Sequence, residues 1–411
     1  MAENVVQDSP QAEPANFAGE PKPTSISPEN GGASTLFSEL AASKAEERSS
    51  VLFNLLRREY TKRKLPLKGT FELTPHCTLD CKMCYVHSSE GKYPERVLNG
   101  DEWIGIMDEA IDAGLLYAGL TGGECFYHPD FWRIYEHLKS RGVFILLLTN
   151  GTLIDEEAAK RLHEMPPYVV RLSVYGSCPE VYERVTGSKN AFFKVDRALR
   201  LLKEAKVPTD IQLTMSRYNY EDFDALLDYA KSMSFGRINL DSDMFEPVVS
   251  SGKRFSDYAL SFEEQSRLWQ RSIQKNGMET FSLCDEDFIE PLLQGEPEAS
   301  GSRMPCVAGL CSFTIGYFGN MQPCGQFPLA SVNVLKEGFM PAWRQVNDAA
   351  LSYRRSEECR ACAYFGKCRF CPARYALASG GTNGLPGEQP CNKNLRILHT
   401  VMREKTRRIN E

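Results

Sequence analysis

From Gly69 to about Phe245 the chain alternates short apolar runs with amphipathic segments, and that alternation limits the fold more than any other feature. Strand-like runs fall at Thr70 to Thr74, Tyr117 to Thr121, Val143 to Thr149, Val169 to Val174, Thr209 to Thr214 and Arg237 to Asp241. Between them, apolar residues recur at helical spacing near Asp101 to Ala113, Asp130 to Ser140, Asp155 to Met165, Phe192 to Ala205 and Tyr220 to Met233, with Asp101 and Asp155 where N-caps belong. Such β-α repeats imply parallel strands joined by crossover helices. The expected fold is therefore α/β, a partial (β/α)6 parallel barrel with its site at the carboxyl ends of the strands.

Directly after the first run stands LTPHCTLDCKMCYV, in which Cys77-X3-Cys81-X2-Cys84 sets three thiols close together without a fourth. A four-iron cube normally takes four cysteines, so three leave one iron open to a ligand that is not protein. A cluster of that kind can bind the ligand and pass it an electron. Zinc is the competing reading, with His76 or His87 completing three thiolates and one imidazole. Towards the C-terminus a second set runs Cys306-X4-Cys311-X12-Cys324, then Cys359-X2-Cys362-X5-Cys368-X2-Cys371, then Cys391. These eight make two complete four-thiolate sets, and a hairpin in FTIGYFGNMQPCGQF, turning near Gly319, would bring Cys311 and Cys324 together. A zinc ribbon built on Cys359, Cys362, Cys368 and Cys371 is the alternative there. Cys178 and Cys284 have no cysteine partners at ligand spacing.

The three-cysteine loop, followed by AGLTGGECFYHPDF at the end of the second strand, resembles the radical S-adenosylmethionine (radical SAM) superfamily. The resemblance implies that Cys77, Cys81 and Cys84 hold the catalytic 4Fe-4S cluster and that Gly122, Gly123 and Glu124 approach SAM, Glu124 accepting from the methionine ammonium. It suggests Thr149, Asn150 and Ser173 as contacts to the ribose or the carboxylate, and Met83 as packing on adenine. An Asn-Gly step is equally an ordinary turn. Cys125 stands where many relatives have proline, either as a hydrogen-atom donor or as a small buried hydrophobe. The later cysteines resemble a C-terminal iron-sulfur SPASM domain with two auxiliary 4Fe-4S clusters. By that resemblance Cys306, Cys311, Cys324 and Cys371 hold the first, and Cys359, Cys362, Cys368 and Cys391 the second. Cys368-X2-Cys371 departs from the family, which commonly has three intervening residues.

Composition sets the remaining limits. Forty-eight basic against fifty-four acidic residues give a net charge of −6, which argues against a nucleic-acid partner. No apolar run approaches membrane-spanning length and MAENVVQDSP is not a signal peptide, so a cytoplasmic protein without a membrane partner is expected. Fourteen cysteines in a reducing compartment then read as metal ligands. Residues 1–34 are too rich in Pro, Glu, Ser, Ala and Gly to bury a core and are expected to be a disordered tail. A helix carrying Leu40, Leu52, Leu55 and Leu56 is expected within 35–68, its basic run Arg57, Arg58, Lys62, Arg63 and Lys64 forming a solvated face. The barrel would occupy 69–250, a bridging region 251–300, the auxiliary-cluster domain 301–395 and a helix 396–411.

The activity implied by the resemblance is reductive cleavage of SAM to a 5'-deoxyadenosyl radical that abstracts hydrogen from a peptide or protein, with a flavodoxin or ferredoxin as reductant. A thioether or carbon-carbon crosslink in a ribosomally made peptide is the first expectation. Oxidation or epimerisation of a peptide residue, and small-molecule or cofactor biosynthesis, are the alternatives. A non-catalytic zinc protein is the remote one. Formylglycine-forming maturases carry an aspartate base directly after the cysteine equivalent to Cys324, whereas this sequence reads Cys324-Gly325-Gln326. Many crosslinking enzymes have an N-terminal winged-helix domain for leader binding; with a tail and one helix before Gly69, leader recognition is expected to be external or within the barrel.

Overall fold

The computed structural model describes residues 45–84, 86, 96–241, 255–276, 306–327, 329–353 and 373. The expected tail, the expected C-terminal helix, and His87, Cys284, Cys359, Cys362, Cys368, Cys371 and Cys391 lie outside the described residues. Contacts divide the chain into residues 1–55 and 56–411, and the sheet and the site belong wholly to the second.

Helix α1 (Ala45–Arg63) precedes β1 (Lys68–Glu72), α2 (Gly100–Asp112), β2 (Tyr117–Thr121), α3 (Phe131–Ser140) and β3 (Phe144–Thr149). There follow α4 (Glu156–Glu164), β4 (Val169–Val174), α5 (Pro179–Thr186), α6 (Asn190–Glu204), β5 (Thr209–Thr214), α7 (Phe223–Met233) and β6 (Ile238–Asp241). After α8 (Phe255–Tyr258) and α9 (Phe262–Asn276) come β7 (Ser312–Ile315), β8 (Asn320–Gln322), β9 (Val332–Asn333), α10 (Val334–Glu337) and α11 (Phe339–Ser352). Among the described residues the strands form one nine-stranded sheet, ordered β6-β5-β4-β3-β2-β1-β7-β8-β9. Strands β1 to β6 are parallel, as the alternation requires.

Pleating decides which side chains reach the core. In β4, Val170, Leu172 and Val174 are buried on one face while Arg171 and Ser173 alternate to the other. Helices cover the apolar face through fully buried Trp103 and Met107 on α2, Tyr135 on α3, Tyr182 on α5 and Phe223 on α7, each stabilising by about 1.5–3 kcal/mol. The cost of a misplaced register is correspondingly high, because a slip of one residue would expose the whole set.

The sheet also does something the alternation does not announce. Strand β7 pairs in parallel with β1, Phe71 beside Ile315, and carries the antiparallel β8 and β9 with it. Phe313 packs edge-on to Phe71 at 5.8 Å and to Phe339 on α11 at 5.3 Å. Gly69 makes room for it, since a Cβ there would lie 2.5 Å from the Phe313 ring.

Several boundaries differ from expectation for local reasons. Strand β1 ends at Glu72 rather than Thr74, because the Thr74 carbonyl turns away to accept from Gly123 N at 2.8 Å. Helix α2 is capped by Asn99, not Asp101: Asn99 and Glu102 form a reciprocal capping box. Asp155 does cap α4, accepting from Ala158 N. Helix α5 was not expected; Pro179 opens it and Gly187, at φ 76°, closes it.

Candidate active site at the carboxyl ends of the strands

The loop after β1 is fixed by backbone bonds to two neighbours. Gly123 N donates to Thr74 O and Glu124 N to His76 O, each at 2.8 Å, while Asp80 N and Lys82 N donate to the terminal carbonyls of α5, Thr186 O at 3.1 Å and Val185 O at 2.9 Å. The glycines owe their identity to this contact. A Cβ on Gly122 would stand 2.3 Å from Thr74 O, and one on Gly123 2.4 Å from Pro75 O. Gly122 also has φ 138°. What approaches the Gly122-Gly123 backbone is thus the cysteine loop.

Within that loop Cys81 is buried and Cys77 and Cys84 are half-buried. The Cys77 sulfur accepts from Leu79 N at 3.4 Å and from Asn150 Nδ2 at 3.3 Å. Burial pushes its thiol up to about 11, against the lowering effect of those donors. Among the described residues no three His, Cys, Asp or Glu side chains converge on a single ion. His76 is stacked on Tyr127, ring centroids 5.7 Å apart.

Glu124 ties β2 to β3. Its Oε1 accepts from Thr149 Oγ1 at 2.8 Å and from Phe126 N at 3.3 Å, and its Oε2 from Asn150 N at 2.7 Å. Burial raises its pKa while these donors lower it. Cys125 is fully buried beneath, its thiol directed at Glu124 Oε1 and Leu148 O, both at 3.6 Å. Asn150 continues the chain of bonds: Nδ2 reaches Thr78 Oγ1 at 3.3 Å, Oδ1 accepts from Thr152 N at 2.9 Å, and the Thr78 and Thr152 hydroxyls meet. The structure therefore gathers Cys77, Glu124, Thr149 and Asn150 in one hydrogen-bonded network, with Gly122 and Gly123 packed against the loop that carries Cys77.

Ser173 lies on β4 beside Gln212 of β5, near the Tyr175 phenol. Burial raises the Tyr175 phenol well above its usual range, with Cys81 and Cys84 near enough to add to the effect. Met83 is buried in the apolar core. The sequence reading missed Thr78 and Thr152, whose pairing spans loops of two different strands and leaves no local signal.

Residues 71–230 match the radical SAM superfamily. That segment is a radical SAM domain. It is 24% identical over 327 residues to an AdoMet-dependent heme synthase of Methanosarcina barkeri, covering 75% of this chain and 92% of that protein. It is 27% identical over 336 residues to mycofactocin maturase MftC of Mycolicibacterium smegmatis, covering 79% of this chain and 81% of that protein. The crystal structure of Streptococcus suis SuiB bound to S-adenosylmethionine superposes with a TM-score of 0.64 at 16% identity, covering 87% and 86% of the two chains. The β1–β6 sheet is thus a radical SAM partial barrel, and no helix among the described residues is long and apolar enough to cross a membrane.

Beyond the radical SAM barrel, Cys306, Cys311 and Cys324 flank the β7–β8 hairpin expected from the sequence. Cys311 O accepts from Leu67 N at 2.8 Å and Lys68 N at 3.1 Å, anchoring the segment to the start of β1. Buried Asn347 of α11 donates to Gly309 O at 2.8 Å and Leu310 O at 3.2 Å. Gln326 N donates to the Cys324 sulfur at 3.4 Å.

Proposed function

We propose that this radical SAM enzyme modifies a ribosomally made peptide, forming a thioether or carbon-carbon crosslink. The observation that carries the reading is the bonded network joining the Cys77 sulfur through Asn150 to Glu124. N–H donors to the Cys77 sulfur are what a ligating thiolate needs, which supports a 4Fe-4S cluster on Cys77, Cys81 and Cys84. When bound, that cluster and SAM supply the 5'-deoxyadenosyl radical chemistry typical of the superfamily.

The protein's own part is placement. Glu124 fixes the Thr149-Asn150 turn, and its Oε2, which takes one donor from the protein, keeps capacity for the methionine ammonium. Thr149, Asn150 and Ser173 offer hydroxyl and amide groups to the ribose or carboxylate, and Met83 an apolar wall to adenine. In the same reading Cys306, Cys311, Cys324 and Cys371 hold one auxiliary 4Fe-4S cluster, Cys359, Cys362, Cys368 and Cys391 another, and a flavodoxin or ferredoxin is the reductant. Identity of 31% over 178 residues to a PqqA peptide cyclase of Granulibacter bethesdensis supports a peptide substrate. The heme synthase, aligned over 92% of its length, supports small-molecule or cofactor biosynthesis as the second reading.

The test is anaerobic reconstitution with iron and sulfide, reduction, and incubation with SAM and synthetic peptides encoded beside the gene. Formation of 5'-deoxyadenosine together with a mass change in one peptide is expected. Cleavage of SAM with every peptide unchanged, but conversion of a cofactor precursor, favours the second reading.

A further inference from the structure

Glu72 is the last residue of β1, and pleating turns it to the opposite face from Phe71, which packs among the aromatic residues of the core. Two glycines of the C-terminal region bound its carboxylate. A Cβ on Gly325 would lie 3.0 Å from Glu72 Oε1, and a Cβ on Gly316 would lie 3.6 Å from Oε2. The carboxylate therefore fills the space a side chain after Cys324 would take, at the foot of the loop that carries Cys77. It joins the two cysteine regions.

The contrast with Glu124 is informative. Glu124 has protein donors on both oxygens, as a structural carboxylate should. For Glu72 no hydrogen bond or ion pair is found among the described residues, and burial pushes its carboxyl up to about 7. The titratable group facing it is the Tyr317 phenol after β7, itself raised by burial and by the Glu72 charge. A largely buried carboxyl without donors costs stability, and such groups concentrate at functional sites.

We propose that Glu72 is the proton acceptor of the peptide-modifying step. The inference rests on the peptide reading above. A carbon radical on the peptide joins a thiol or other acidic group of the same peptide: the new bond to carbon forms, the bond from that group to hydrogen breaks, and one electron and one proton leave. The electron passes to an iron-sulfur acceptor of the class assigned to the C-terminal cysteines. The proton passes to Glu72, which becomes the neutral acid and returns it to solvent.

The experiment uses the reconstituted holoenzyme, SAM and synthetic peptides from the short reading frames beside the gene, and reads the ratio of modified peptide to 5'-deoxyadenosine against pH. In the wild type the ratio rises with pH through about 7, because the base works deprotonated. Glu72→Gln lowers it about 100-fold and removes the rising limb; Glu72→Asp keeps the limb at a lower ratio. An unchanged ratio and limb in Glu72→Gln overturns the proposal. So does an infrared titration of the protein without peptide in which Glu72→Gln retains every carboxyl band that titrates near neutrality. Wild-type enzyme that makes 5'-deoxyadenosine but modifies no peptide refutes the peptide reading and this inference with it, whereas absence of 5'-deoxyadenosine refutes the assignment of the first cluster.

Discussion

The two cysteine regions are held in different ways. The Cys77–Cys84 loop is fixed by its neighbours in the barrel, the turns after β2 and β3 and the end of α5, through short backbone bonds and the Glu124-Asn150 network. Cys306, Cys311 and Cys324 are held by a strand that adds to the far side of β1 and by Asn347 reaching from α11. The first arrangement rests on the β-α repeat itself. The second depends on one parallel pairing between distant parts of the chain, and Glu72 stands where the two meet.

The sharpest break between the regions comes from replacing Cys77, Cys81 and Cys84 together by Ala. SAM cleavage should vanish, and iron should fall from about twelve to about eight per chain, since the C-terminal sets do not need the loop. Iron and sulfide analysis beside a 5'-deoxyadenosine assay measures it. Next in size is Gly122→Ala, where a Cβ at 2.3 Å from Thr74 O must form at φ 138°. A loss of about 4 kcal/mol is expected from overpacking and backbone strain together, read by denaturant unfolding, with iron lost first from the Cys77 site.

The third effect depends on pH. The Glu72 carboxyl is raised from 4.5 to about 7 in the fold, so the folded state holds a proton that the unfolded chain releases. The Glu72 contribution to stability is most favourable below about 4.5 and is lost as pH rises through about 7. The full loss is about 3 kcal/mol. Glu72→Gln should flatten that fall, making the metal-free protein more stable than wild type at pH 8 and no more stable at pH 4. Smallest is Asn347→Ala, which strands two buried carbonyls at a cost of about 2 kcal/mol. It should lower iron in the C-terminal region while SAM cleavage per Cys77-site cluster is kept.

Much of the barrel was legible because each strand and helix announces itself within a few residues. The run Val169 to Val174 appears as β4 with the expected bounds, and Asp155 caps the helix it was expected to cap. Cap exchange at Asn99 and the short α5 were harder, since both turn on which of several polar or proline-containing positions the backbone uses. The site residues around Glu124 were visible as types, but their connections were not: Asn150 reaches Cys77 across two strands, and nothing in either segment encodes the other. Gly122 and Gly123 were read as allowing a ligand to approach, and the structure adds that the cysteine loop itself is what presses on them. Glu72 went unnoticed because a polar residue alternating with Phe71 reads as solvent-facing. The pairing of β7 with β1 brings Gly316 and Gly325 up against it. Ownership of Cys371 and the second auxiliary set concerns residues outside those described.

The proposed chemistry needs an iron left open by three cysteines and taken by SAM. Pulsed electron-nuclear double resonance on the reduced enzyme, with SAM labelled by nitrogen-15 at its amino group, tests it most directly. A nitrogen coupling is expected in the wild type and is lost when Cys77, Cys81 and Cys84 are replaced together. Bound SAM with no coupling to any cluster, or a coupling that survives the triple replacement, contradicts it.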